Sequence, residues 1–375
     1  MRGLNLNLNY MKIALAHDHF TQDGGAERVA AALMELFPES RMFSLLEDPK
    51  IYRELANNRE LVTSFLQKMP FSRKKFHWYL PFMPAAVESL DLSDVDMVIS
   101  SSSMFAKGVL TNPGTTHICY CHTPPRFLWS DRQNYLRELK YNAIVTKMAP
   151  LLLSTLRQWD KMAADRVDYF IANSETVRQR IKKYYNRDSV VIYPPVDTDK
   201  FKISNTPKEY FLAGGRLVGY KRFDLVVQAF NRLNMPVKIF GTGPLLKNLK
   251  SKAKRNVEFL GKVSESEKIQ LLQNCQAFLN PQEEDFGITT VEAMAAGRPV
   301  IAFRRGGGAE TVIENETGVF FDEQCWEEIA DKVIRFDSSK FDPEKIRNHA
   351  LSFDKSVFKQ KIQSFVAEVL LPTKP

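Results

Sequence analysis

Asn280-Pro281-Gln282-Glu283-Glu284-Asp285-Phe286-Gly287-Ile288-Thr289-Thr290-Val291-Glu292-Ala293-Met294-Ala295-Ala296-Gly297-Arg298-Pro299-Val300-Ile301-Ala302 reads as a strand end, a loop, a short helix, a turn and a second strand. The apolar run 277–279 closes the first strand, and 299–302 opens the next. Thr289 or Thr290 is expected to cap the helix, whose Ile288, Val291 and Ala295 share one face at helical spacing. Gly297 ends it, with Pro299 two residues beyond. Glu284 then lies in a loop at the carboxyl end of a strand, and Glu292 about one turn into the helix. Open α/β sheets bind ligands in the crevice outside the carboxyl ends of their strands, so both acids face such a crevice. A helix N-terminus at that place favours an anion such as a diphosphate.

The same rhythm continues outward. Strands are expected at 210–213, 237–240, 257–260, 277–279, 300–303 and 318–320, with helices between them. Upstream, 12–16, 42–45, 96–100, 117–120, 169–172 and 190–192 read as strands, and 17–25 as a loop. An amphipathic helix is expected at 26–37, with Val29, Leu33 and Leu36 on one face. A long helix follows at 141–167, and another at 174–184 with Ser174 as its cap. Strands alternating with helices make a parallel, doubly wound α/β sheet. The 375 residues exceed what one core usually holds, so two domains are expected, 11–195 and 205–352. Pro194 and Pro195 stop the strand before them and stiffen the crossing at 193–201.

With 44% hydrophobic and 26% charged residues the chain is globular rather than disordered. No run approaches the roughly 20 apolar residues of a membrane span. The stretch 1–10 is polar and Asn/Leu-rich, unlike a secretion signal, and reads as a leader before the first strand at Met11. Cys119, Cys121, Cys275 and Cys325 do not suggest a disulfide framework, which favours the cytosol. The net charge of +8 is unevenly spread. Lys68, Arg73, Lys74 and Lys75 stand among Phe65, Leu66, Met69, Phe71, Phe76, Trp78, Tyr79, Leu80, Phe82 and Met83. That mixture suits an anionic lipid surface, and equally suits a loop packed over the sheet. No motif of a nucleic-acid module appears, and no nucleic-acid partner is expected.

Four further constellations fall at strand ends. Gly214-Gly215-Arg216-Leu217-Val218-Gly219-Tyr220-Lys221 lets backbone and two cations approach a pyrophosphate, or is a βα turn with exposed bases. Gly241-Thr242-Gly243-Pro244 shapes a turn, and no acid follows at the spacing a dinucleotide fingerprint requires. Asp23-Gly24-Gly25-Ala26-Glu27-Arg28 opens a helix with two glycines, whose N–H groups suit a phosphate. Cys119-Tyr120-Cys121-His122-Thr123-Pro124-Pro125-Arg126-Phe127-Leu128-Trp129 places His122 at a strand end before two prolines. There it faces a ligand or is satisfied in the core. His17-Asp18-His19 brings too few ligands for a zinc site, and no metal is expected.

Seven residues separate Glu284 from Glu292. With Phe-Gly behind the first acid and Ala-x-x-x-Gly-x-Pro-Val-Ile behind the second, the pattern resembles the signature of the family-4 retaining glycosyltransferases. The resemblance runs from 11 to about 365. It implies the GT-B fold, two Rossmann-like doubly wound domains facing a central cleft, with 353–375 returning to the first as a helix. It implies that Arg216 and Lys221 neutralise the diphosphate of a nucleotide-sugar donor, and that Glu284 and His122 hydrogen-bond its sugar. These four form the expected catalytic set. Gly24, Gly25, Gly215, Gly241, Gly243, Phe286, Gly287 and Ile288 would line the donor, and Glu292 would hold its ribose.

The phrase Cys-His-Thr-Pro-Pro-Arg-Phe-Leu-Trp is narrower, as are Ile99-Ser100-Ser101-Ser102 and Ala106-Lys107-Gly108-Val109. They look like the bacterial mannosyltransferases that build O-antigen and exopolysaccharide chains. That subgroup implies GDP-mannose as donor and a polyprenyl-diphosphate-linked glycan as acceptor, with no metal or other cofactor. It places the protein in the cytoplasm, peripheral on the inner face of the plasma membrane. Two alternatives stay open: a UDP-hexose-dependent transferase with a different or soluble acceptor, and a non-catalytic subunit that binds nucleotide sugar. Gly306-Gly307-Gly308-Ala309-Glu310 departs from the family pattern, which sets a proline near two glycines, and a looser loop is expected there.

Overall fold

The computed structural model describes residues 11–371 apart from 57–58, 74, 132–142 and 205. The leader expected at 1–10, Lys74 of the basic segment and the start of the helix expected at 141–167 lie outside the described residues. The chain divides into two compact units, 1–193 with 359–375, and 194–358.

The first unit holds a seven-stranded sheet in the order β3-β2-β1-β4-β5-β6-β7. Its strands are β1 (Ile13–Phe20), β2 (Arg41–Glu47), β3 (Leu61–Thr63), β4 (Met97–Ser102), β5 (Thr116–Cys121), β6 (Tyr169–Ala172) and β7 (Ser189–Val191). The second holds six strands in the order β10-β9-β8-β11-β12-β13. These are β8 (Phe211–Gly214), β9 (Val237–Phe240), β10 (Val257–Gly261), β11 (Phe278–Asn280), β12 (Val300–Phe303) and β13 (Gly318–Phe321). Every pairing in both sheets is parallel. Helices cover both faces, which explains continuous apolar runs such as Val300–Phe303, buried at every position. In each sheet the strand order reverses once, between β1 and β4 and between β8 and β11. Ligand sites of doubly wound sheets form at such reversals.

Three readings of the sequence need correction. The loop expected at 17–25 begins later, because β1 runs on to Phe20 and pairs His17 with Ser44 and His19 with Leu46. The strand β3 was not expected: it is three residues long and half-exposed, too short for a period to register. Neither Thr289 nor Thr290 caps the helix Ile288–Ala295; Gly287 does, at φ 92°, and no side chain takes part. Thr290 instead points inward, its hydroxyl buried without a hydrogen-bond partner among the described residues. Ser174 caps the helix Glu175–Tyr185 as expected, accepting from Val177 N at 3.1 Å.

Beneath β4 and β5 the first unit buries an ion pair. Lys107 and Asp160, both on fully buried side chains, are in direct contact. The remaining carboxylate oxygen accepts from Trp129 Nε1 and Tyr185 Oη, each at 2.8 Å. Burial works against the Lys107 charge, but Asp160 outweighs it and holds the ammonium above its ordinary value. The long helix Ala143–Asp165, the loop after His122 and the turn after β4 are thereby tied to one point. All four cysteines are free thiols. The helix Lys355–Leu370 buries Phe358, Ile362 and Val366 along one stripe, and Lys359 pairs with Glu35 at 2.7 Å.

Candidate active site

The second unit gathers most of the expected residues at the carboxyl edge of β8, β9 and β11. Gly215 leaves β8 and donates its N–H to Phe240 O at 3.1 Å. A Cβ on Gly241 would fall 1.9 Å from Gly215 O, so only glycine lets these two loops meet. A Cβ on Gly243 would fall 2.4 Å from Leu217 O, and Leu217 N–H reaches Thr242 O at 2.8 Å. Arg216 is exposed on this packed turn and makes no ion pair among the described residues. Lys221 swings back from the same turn and donates to Glu284 Oε1 at 2.6 Å, both side chains being largely enclosed. Burial disfavours the Lys221 ammonium, but Glu284 more than compensates and raises its pKa.

Glu284 is fixed through its backbone. Gly307 N donates to Glu284 O at 2.7 Å, and a Cβ on Gly307 would overlap Phe286 Cα at 2.2 Å. The triple glycine, where a looser loop is expected, is seated directly on the Glu284 backbone. Gly287 then turns left-handed and starts the helix, whose N-terminus follows the loop that leaves β11. The Phe286 side chain is turned inward onto Phe353, with ring centroids 5.7 Å apart, so only its backbone can reach a ligand. Ile288 is half-buried. Glu292 is buried and accepts from Lys268 Nζ at 2.8 Å. Nothing in the sequence pointed to that lysine, which lies 24 residues upstream on another helix.

The first unit brings a second cluster to the reversal between β1 and β4. His122 is nearly buried, its Nε2 2.8 Å from Ser101 Oγ, and Ser101 Oγ is 3.1 Å from His17 Nδ1. Beside them the Asp18 carboxylate grips the turn after β4. Oδ2 accepts from Ser103 N at 2.6 Å and Met104 N at 2.9 Å, and Oδ1 from Phe105 N and Ala106 N at 2.7 Å. Burial pushes Asp18 upward, yet His17 and these backbone donors outweigh it and keep the acid below its ordinary range. The sequence singles out Asp18 only within a His-Asp-His run too short of ligands for a metal, although a carboxylate inside an apolar strand is the signal of this role. Gly24 and Gly25 open the helix Gly25–Leu36, and the buried Glu27 carboxylate sits under Gly24. Among the described residues no group of three or more His, Cys, Asp or Glu is placed to hold a metal ion.

This cluster makes stability depend on pH. Burial drives His17 down to about 3, and burial likewise drives His117 down to about 3. The unfolded chain takes up those protons near 6.5, whereas the fold refuses them until about 3, so stability rises with pH across that window and is lost as pH falls. Glu27, raised to about 7 by burial, opposes this with one proton between 4.5 and 7. Two histidines outweigh one acid. Urea unfolding should therefore give a lower midpoint at pH 5 than at pH 6.5; a higher midpoint would mean that the histidines carry charge in the fold.

The Glycosyltransferase Family 4 profile matches residues 23–200, and that of the Glycosyl transferases group 1 matches 195–352. The D-rhamnosyltransferase WbpZ of Pseudomonas aeruginosa is 29% identical over 199 residues, covering 48% of this chain and 51% of that protein. The O-antigen chain mannosyltransferase C of Escherichia coli is 27% identical over 195 residues, again 48% and 51%. Such matches span about half the length of these curated relatives. Among solved structures, Anabaena Alr3699/HepE in complex with UDP aligns with a TM-score of 0.71 at 17% identity, covering 96% of this chain and 100% of that one. The sucrose-phosphate synthase of Thermosynechococcus elongatus aligns at 0.74 and 16% identity, covering 97% and 100%.

Proposed function

The chain belongs to the family-4 glycosyltransferases of the GT-B fold, and from that premise we propose that it transfers a hexose, with retention of configuration, from a nucleotide sugar to a lipid-linked oligosaccharide. The observation that carries this reading is the Lys221–Glu284 pair beside the left-handed Gly287, where β8 and β11 diverge. One edge thus offers a cation for a phosphate, a carboxylate for sugar hydroxyls, and a helix N-terminus.

The charge balance of the reaction suits that arrangement. The bond from the sugar's anomeric carbon to the phosphate oxygen breaks, leaving positive charge on the sugar and negative charge on the diphosphate. Arg216, Lys221 and the N–H groups after Gly287 stabilise the departing phosphate as its charge develops. Glu284 orients the sugar hydroxyls, and Glu292 holds the ribose. The acceptor hydroxyl attacks on the face the phosphate leaves, and its proton passes to the phosphate oxygen. With the phosphate charge met by these groups no divalent cation is needed, so chelator should leave the rate unchanged.

GDP-mannose is the favoured donor, a polyprenyl-diphosphate-linked glycan the acceptor, and the inner face of the plasma membrane the site of action. What supports mannose is the similarity to a mannosyltransferase and a rhamnosyltransferase of bacteria. A second reading, a UDP-hexose donor, is favoured by the likeness to a fold described with UDP and with UDP-glucose.

The test is to incubate the purified protein and bacterial membranes with labelled GDP-mannose, UDP-glucose or UDP-N-acetylglucosamine, and to count label in the lipid extract. Mannose incorporation that vanishes in Glu284→Ala is expected. Incorporation from a UDP-sugar alone would overturn the donor. Silence from all three would favour a non-catalytic nucleotide-sugar-binding subunit. An inverted anomer in the product, read by NMR, would overturn the same-face mechanism.

A further inference from the structure

We propose that the surface formed by 65–82 of the first unit is a docking face for an anionic lipid bilayer. The segment follows the edge strand β3 as the 3-10 turns Phe65–Lys68 and Phe76–Phe82 and the helix Met83–Glu88. Its apolar residues divide into two sets. Leu66, Leu80 and Met83 are buried, and Phe76 and Tyr79 pack against them in the core. Phe65, Met69, Phe71, Trp78 and Phe82 face outward, with 43%, 41%, 70%, 50% and 54% of their surface exposed. A soluble surface seldom collects five such side chains in eighteen residues unless something covers them.

The local backbone holds this face outward. Phe71 adopts φ 56°, a left-handed conformation uncommon for a large side chain. Lys75 N bonds Phe71 O at 2.9 Å, and Tyr79 Oη bonds Pro70 O at 2.6 Å, which pins the turn. Lys75 Nζ then lies 3.9 Å above the Trp78 ring, bringing cation and aromatic to the same face.

Charge selects the occupant. Between Glu60 and Glu88 the sequence carries Lys68, Arg73, Lys74 and Lys75 and no Asp or Glu. A second copy of the chain would set like charges against each other, and a nucleic acid leaves the Met69 and Phe82 side chains without an apolar partner. A bilayer with anionic headgroups satisfies both the cations and the hydrocarbon, and aromatic rings settle at such an interface. No described helix is long and apolar enough to cross a membrane. The inference deepens the reading of a lipid-linked acceptor and takes its purpose from it, but its test needs neither donor nor acceptor.

The full chain is spun down with vesicles of phosphatidylcholine alone, or of equal parts phosphatidylcholine and phosphatidylglycerol. Binding to the anionic vesicles is expected to be about tenfold tighter, and to weaken as salt is added. The triple variant Phe71→Ser, Trp78→Ser, Phe82→Ser should lose about tenfold in binding at an unchanged melting temperature, since none of the three is core. The charge variant Lys68→Gln, Arg73→Gln, Lys75→Gln should lose the preference for phosphatidylglycerol. Failure of the wild type to sediment, equal binding by wild type and triple variant, or a shift by RNA stronger than by vesicles would each overturn the proposal. If vesicles bind while sugar transfer fails, the docking face stands and the reaction falls; the reverse outcome is equally readable.

Discussion

Glu284→Ala should lower turnover by about 10²–10³-fold, the usual range for deleting one group aimed at the reacting centre, while nucleotide affinity stays within about threefold of wild type. The carboxylate is held by its backbone, through Gly307 N on Glu284 O, so removing the side chain leaves the loop in place. Lys221 loses its partner at 2.6 Å but remains at the edge as a cation for the phosphate. Glu292→Ala should behave differently, weakening nucleotide binding, because Glu292 is proposed to meet the ribose and its loss leaves Lys268 paired with Glu265 alone. Calorimetry with free nucleotide separates the two. Wild-type turnover by Glu284→Ala would sink the assignment, and so would an affinity loss confined to that variant.

Much of this site could be read from the chain because its parts are local. Glu284, Phe286, Gly287 and Glu292 sit on one strand–loop–helix unit whose apolar runs mark strand and helix by themselves. Gly215 with Lys221, and Gly241 with Gly243, likewise fall on single turns. What stayed hidden depends on partners far away in sequence. Asp18 meets 103–106, Ser101 meets His122, Lys268 meets Glu292, and the triple glycine meets Glu284. No periodicity encodes which buried acid finds which turn. The cap of Ile288–Ala295 was misread for a local reason: Thr289 and Thr290 are the usual capping type, but Gly287 reaches a left-handed φ that brings the chain in from the sheet edge. The basic aromatic segment was ambiguous because sequence cannot sort Leu80 inward from Phe82 outward when both lie on one irregular turn.

Asp160→Ala should destabilise the first unit by about 3–5 kcal/mol, since it leaves the Lys107 ammonium buried with no counter-charge. Lys107 and Asp160 are both excluded from solvent, and Trp129 Nε1 and Tyr185 Oη would also lose their acceptor. The double variant Lys107→Met, Asp160→Leu should recover most of that loss, because two matched apolar side chains remove both charges together. Denaturant unfolding followed by Trp129 and Trp159 in the first unit, and separately by Trp326 in the second, should show the change in the first unit alone. A loss under about 1 kcal/mol would mean that water or relaxation solvates Lys107 and that the pair is not a structural anchor.

The division of the chain sets an order of assembly on the ribosome. Unit 194–358 is one uninterrupted stretch, whereas the first unit includes 359–370, where Ile362 and Val366 are buried and Lys359 reaches Glu35. Those residues are synthesised after the whole of the second unit. The portion translated first is therefore completed last, and nascent chains carry an open seam on the first unit until its closing helix emerges. Chaperone capture and premature proteolysis should concentrate on that seam, and synonymous codons that slow translation just before 359 should prolong its exposure without altering the finished protein.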